Sequence, residues 1–247
     1  MTRRCSGGED PEVSTVLRSS RAIAGGEGRR HMVAQGSSQA DTRLYQVVHK
    51  AFRLATTRLV DASEKLEPAQ LQSVFGPRWS FYADVLHHHH HNEDDKIFPA
   101  LVAVRPEMSS LLEKLQDDHQ QLVRTMQAVD SAVSALQRTP DAAHQKALHE
   151  SVVAVRDAFF PHLDIENEQI LPAIAESISP TLWEEMDEEA LKTIPRKHLP
   201  IAVAFLDDVV RGMPREEQPP PPPLPIRLML ALSWRKKFAA WVKPLLV

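Results

Sequence analysis

The chain has 247 residues, a formal charge of −4, and 43% hydrophobic and 25% charged residues, ordinary values for one well-buried domain with appendages. The near-neutral balance argues against nucleic acid as the main partner, for which a clustered basic excess is expected. A single cysteine, Cys5, excludes an intramolecular disulfide; no run of about 18 apolar residues offers a membrane span, and the opening residues lack the apolar run of a secretory signal, so a reducing cytosol is the expected compartment.

Residues 1–39 mix small and charged residues without periodicity and are expected to form a disordered tail. Its Arg and Ser content resembles a transit peptide, but Glu9, Asp10, Glu12 and Glu27 oppose that reading. A bundle is expected over residues 40–180, built from four helical segments. The first, Asp41 to Lys65, carries an inward stripe of Tyr45, His49, Phe52, Thr56 and Leu59. The second, Pro77 to Val104, runs on Phe81, Tyr82, Val85, Leu86, His89, Glu93, Ile97 and Leu101. The third, Glu107 to Gln137, has one apolar face from Met108 to Leu136, interrupted only by His119. The fourth, Asp141 to Ser177, runs on Val152, Val155, Phe159, His162, Glu166, Ile170 and Ile174. Hairpin signals are almost absent and the third connection is short, which predicts an all-α, antiparallel up-down four-helix bundle.

Residues 181–247 are expected to form a helical extension, with an acidic segment Thr181–Thr193, an apolar one Arg196–Arg211, and a proline-rich linker over 214–225 whose run Pro219–Pro223 must be extended. The last segment, Leu224–Val247, mixes apolar and basic residues. It is expected to pack on the bundle or on a protein partner, with an anionic membrane surface as the alternative.

Helices two and four echo one another: residues 89–101 read HHHNEDDKIFPAL and residues 162–174 read HLDIENEQILPAI. In each, a histidine precedes a glutamate by four residues, so both side chains leave one helical face. Sending an imidazole and a carboxylate into a core is costly unless they are paired or bound to metal. With His49 and His119 the set becomes four histidines and two carboxylates from four helices, which suits two iron ions: two histidines for each, Glu93 and Glu166 bridging, and positions left open for a small ligand. A ferritin-like site would place Glu three residues before His, the opposite order.

The order His, His-x-x-x-Glu, His, His-x-x-x-Glu, over about residues 41–178, resembles the hemerythrin or HHE-domain family. The resemblance implies an oxo- or hydroxo-bridged di-iron centre that binds dioxygen reversibly or reacts with it, with His49, His89, Glu93, His119, His162 and Glu166 as metal ligands. Oxygen-carrying hemerythrins have a His-x-x-x-His pair on the third helix, whereas here the residue four after His119 is Val123. One iron is therefore expected to have fewer protein ligands. Binding or sensing of dioxygen or iron leads; consumption of peroxide or nitric oxide, or an iron-responsive interaction module, are the alternatives.

The run His87–His91 sits inside the echoed pattern, which separates it from a purification tag; His90 with Asp94 is the alternative register to His89 with Glu93. The remaining histidines, His31, His144, His149 and His198, lack matching partners, and Tyr45 and Tyr82 are expected to be core packing. The acidic run from Glu184 to Glu189 reads as a solvated face.

Overall fold

The computed structural model describes residues 39–247; the tail expected over residues 1–39 lies outside them except for Gln39. Helix α1 (Arg43–Lys65) buries Tyr45, His49, Phe52, Thr56 and Leu59, as its periodicity requires. Helix α2 (Pro68–Asn92) starts nine residues before the expected Pro77. Pro68 opens the first turn, where a missing N–H costs nothing, and Glu67 with Gln70 forms a capping box. Pro77 is tolerated inside the helix because it and Ser73, whose carbonyl loses its partner, both face solvent.

Helix α2 continues through a π turn, Glu93–Ile97, into α3 (Phe98–Val104). Helix α4 spans Ser109–Arg138. Helix α5 (Ala142–Ile165) begins at Asp141, whose carboxylate accepts the His144 N–H at 2.9 Å, and passes through a second π turn, Glu166–Ile170, into α6 (Leu171–Ser177). Helix α1 packs on α2 and α5, and α4 packs on the same two, closing the square of a four-helix bundle. No strand occurs among the described residues.

Two apolar layers fill the bundle. One contains Phe52, Leu59, Phe75, Tyr82, Leu86, Leu148, Val155 and Phe159; the other contains Tyr45, Ile97, Phe98, Leu112, Leu115, Ile170 and Trp183. The histidines and glutamates of the stripes lie between them. Helix α7 (Pro180–Thr193) closes the second layer with Trp183, whose Nε1–H donates to the Asp41 carbonyl at 3.0 Å. The extension continues as α8 (Leu199–Arg211), the proline run 219–223, α9 (Leu224–Met229), a third π turn (Leu230–Trp234) and α10 (Arg235–Val242). It packs on α1 through Phe205, Leu230, Trp234 and Phe238 against Ala51.

Candidate metal centre

Each echoed glutamate opens a π turn. The Phe98 N–H donates to the Glu93 carbonyl and the Leu171 N–H to the Glu166 carbonyl, each five residues back. Pro99 and Pro172, which have no N–H to contribute, follow where the ladder has already slipped. The wider turn changes the angle between consecutive side chains. Glu93 and Glu166 enter the bundle, while Asp94 and Asn167 reach sideways to histidines on neighbouring helices.

The structure brings all six expected residues to one level and adds a seventh. Among the described residues, His90, Glu93, His119 and His162 form one group able to hold a metal ion, and His49, His89, Glu93 and Glu166 form another, with the candidate atoms of each group within 4.8 Å of one another. Glu93 belongs to both. Glu166 spans the boundary too: its Oε2 lies 3.5 Å from His49 Nε2 and its Oε1 3.2 Å from His162 Nε2. The His119 and His162 Nε2 atoms are 3.1 Å apart, His119 Nε2 is 3.5 Å from Glu93 Oε2, and His89 Nε2 is 3.4 Å from Glu93 Oε1.

In the histidine run both His89 and His90 point inward. Helix α2 stands between α1 and α4, so adjacent residues, about 100° apart on a helix, serve opposite sides of the centre. His89 meets His49, at 5.3 Å between ring centroids, and His90 stacks on His119 at 4.0 Å. Asp94 is not the partner of His90: its Oδ1 accepts the His119 Nδ1–H at 2.9 Å. Val123, four residues after His119, is 42% exposed and turned out of the bundle.

These residues fit a cation better than they fit one another. Nε2 of His49, His89 and His90, Oε2 of Glu93 and both carboxyl oxygens of Glu166 are buried without a hydrogen-bond partner. Leaving one such group unmet costs roughly 1–3 kcal/mol, more if charged, so six in a single layer would be prohibitive without a shared partner. Burial pushes the His49 imidazole down to about 3 and lowers His89, His90 and His162, keeping the rings neutral with lone pairs available. Burial raises Glu166 to about 8, and burial together with the nearby Glu166 charge raises Glu93 strongly. Two carboxylates in a dry layer cannot both ionise without positive charge beside them, and a divalent cation supplies it.

Further residues orient this set. Asn167 Oδ1 accepts the His49 Nδ1–H at 2.9 Å, which leaves Nε2 free to coordinate. Tyr45, expected to be packing alone, donates its hydroxyl to Glu93 Oε1 at 2.5 Å and sets its ring against His49 and His89. Its place in the inward stripe, one turn before His49, was the available signal. Tyr82 does stay in the apolar layer, hydrogen-bonded to Thr56 at 2.8 Å. His144, His149 and His198 lie elsewhere: His144 at the Asp141 cap, His149 on Ser63, His198 on Asp84 and against Phe81.

Fold and site together define a helical bundle with a buried imidazole–carboxylate centre able to hold metal. A family model, the hemerythrin HHE cation-binding domain, matches residues 41–174, more than half of the chain and all seven centre residues. The chain belongs to the hemerythrin HHE cation-binding family. No curated protein and no solved structure is significantly similar to it.

Proposed function

We propose that the chain is a hemerythrin-like non-haem di-iron protein that binds or senses dioxygen or a related small oxidant. In this reading His49, His89, Glu93, His119, His162 and Glu166 are the metal ligands and His90 is a seventh. The observation that carries it is Glu93, one buried carboxylate common to two groups of metal-binding atoms. A mixed imidazole and carboxylate set without thiolate suits iron over a structural zinc site.

When bound, a pair of irons would supply redox chemistry and open coordination positions for the oxidant. The protein's own residues do the rest. Phe52, Phe98 and Phe159 pack against the histidines and keep bulk water out. Asn167 and Asp94 fix the tautomers of His49 and His119. Tyr45 holds a proton at its hydroxyl, directed at Glu93, because burial and the flanking carboxylates raise its pKa well above the usual phenol value. A reducing cytosol, the compartment expected from the cysteine usage, would suit loading with ferrous iron.

Consumption of peroxide or nitric oxide calls for a metal short of protein ligands. His90 supplies a third imidazole on the side where Val123 offers none, which favours binding or sensing over turnover. The test is metal analysis of native, untagged protein with visible absorption before and after exposure to air, beside a His89→Ala, His162→Ala variant. About two irons per chain and air-dependent bands, both lost in the variant, are the expected result. Protein that copurifies with no iron and takes none up would end this reading.

A further inference from the structure

Residues 224–247 contain Arg227, Arg235, Lys236, Lys237 and Lys243 and no acidic residue, a side-chain charge of +5 in a chain whose total is −4, so the remaining residues carry −9. Arg235 is neutralised by Asp207, with both hydrogen bonds at 2.8 Å. Arg227, Lys236, Lys237 and Lys243 are exposed and form no ion pair among the described residues. One face of the segment is packed on the bundle: Leu230, Trp234, Phe238 and Val242, spaced by four, are buried with Ala51 of α1 and Phe205 of α8. Two residues before each of them, about 200° around a helix, stand Leu228, Leu232, Lys236 and Ala240, with Leu224 one step earlier. All five are exposed, the leucines by 63% at Leu224, 52% at Leu228 and 73% at Leu232. A strict four-residue repeat drifts by about 40° per step on an α-helix, and the π turn Leu230–Trp234 absorbs much of that drift, so the inner and outer stripes both stay straight. Exposed leucines scattered singly are ordinary; three in line, continued by unpaired cations, mark a contact surface.

We propose that this outer face docks the protein on an anionic lipid bilayer surface, with Leu224, Leu228 and Leu232 entering the interface and Arg227, Lys236, Lys237 and Lys243 meeting the headgroups. The contact is peripheral, since no helix among the described residues is long and apolar enough to cross a membrane. Charge selects the occupant. A second copy would bring two uncompensated positive faces together, which is repulsive, whereas anionic headgroups neutralise them. The net negative charge of the remaining residues disfavours docking through other faces and so orients the molecule. Both halves of the face are needed. Three leucine side chains hold fewer carbons than one acyl anchor, which by itself binds a bilayer only marginally, and each cation near an anionic surface adds about fivefold to partitioning. The inference is independent of the metal centre.

The experiment is cosedimentation of the full-length protein with vesicles of phosphatidylcholine alone and of phosphatidylcholine and phosphatidylglycerol in equal parts. Each is run at about 0.1 M and about 1 M salt, where charges are screened over about 10 and 3 Å. The expected result is partitioning onto the mixed vesicles at low salt, about tenfold or more above that onto the neutral ones, and its loss at high salt. Lys236→Gln with Lys237→Gln should lower partitioning by about 25-fold, and Leu228→Ser with Leu232→Ser by about tenfold or more. These side chains are exposed, so folding is retained, as circular dichroism will check. Lys146→Gln with Lys192→Gln, which removes exposed cations from other helices, should change partitioning by less than about twofold. Wild type that stays off the mixed vesicles, or binds neutral ones equally well, overturns the inference, as does a loss in the Lys236, Lys237 variant no larger than in the Lys146, Lys192 variant. Self-association of wild type in sedimentation velocity that the Leu228, Leu232 variant abolishes would assign the face to a second copy and overturn it as well.

Discussion

The apolar layer at the α1–α2 end of the bundle and the layer that holds the histidines are built by the same helices yet treat polar atoms in opposite ways. In the first, buried polar groups find partners within the protein: Thr56 donates to the Phe52 carbonyl, Ser63 to that of Val60, Trp79 Nε1–H to Asp130, and the Gln145 amide to the carbonyls of Ser63 and Leu66. In the second, six nitrogen and oxygen atoms converge without partners. Arg58 Nη1 is the exception beside the apolar layer; the other unmet atoms belong to residues at or beside the centre, and this level trades intrinsic stability for affinity toward a cation.

The sharpest way to break the comparison is Glu93→Ala. It removes the one carboxylate common to both groups, so metal content should fall from about two per chain to near zero. The metal-free variant should melt close to metal-free wild type, because removal of a costly buried carboxyl offsets the Tyr45 hydroxyl hydrogen bond lost with it. A large drop in melting temperature would assign the layer a structural role instead.

Next in size, Leu148→Ala in the apolar layer should cost about 2–5 kcal/mol in urea unfolding, the usual range for emptying a buried leucine site, because Leu148 is fully buried. Metal stoichiometry should be unchanged. The two substitutions thus move opposite observables.

A smaller effect should appear in the pH dependence of the metal-free protein. Glu166 is raised from 4.5 to about 8 in the folded chain, so between these values the native state holds a proton that the unfolded state has released. Its stabilising share is complete below pH 4.5 and is lost as pH rises through about 8. The lowered histidines act in the opposite sense, since His49 at about 3 makes the folded state gain stability as pH rises toward the ordinary imidazole value of 6.5. Above that value the raised carboxyls continue to change, Glu166 together with Glu93 and with Asp187, which burial raises to about 7. The melting temperature of metal-free protein should therefore fall between pH 6.5 and 8 and should do so less in Glu166→Gln; a flat profile in wild type would contradict the assignment.

The smallest effect is expected for Tyr45→Phe. It deletes one hydroxyl donor and keeps the ring, for a cost of about 1 kcal/mol, typical of one hydrogen bond. Air-dependent visible bands should shift without being abolished, which would place Tyr45 as a support of Glu93 and not as a ligand.

Much of this centre was legible because helical periodicity is a strong local signal. His49 and His119 stand out as single polar residues on otherwise apolar faces, and the paired His-x-x-x-Glu segments repeat down to their prolines. His90 was harder to place. One helix viewed alone has one inward face, and on that premise His89 and His90 are competing registers. Asp94 and Asn167 were hidden for a related reason, since their direction depends on the π turns that a regular helical projection does not contain. The start of α2 was missed because Pro77 reads as a boundary, and only its solvent-facing position shows why the helix tolerates it.

By itself the sequence determined the all-α class, the four amphipathic stripes and the six residue positions aimed at a common core, because these follow from the 3.6-residue repeat and the cost of burying polar groups. Tertiary structure alone decided that α2 stands between α1 and α4, that both His89 and His90 therefore point inward, and that a carboxylate on one side answers an amide on the other. Those outcomes depend on which helices become neighbours and on where their hydrogen-bond ladders slip, and neither is encoded in the spacing of any single segment.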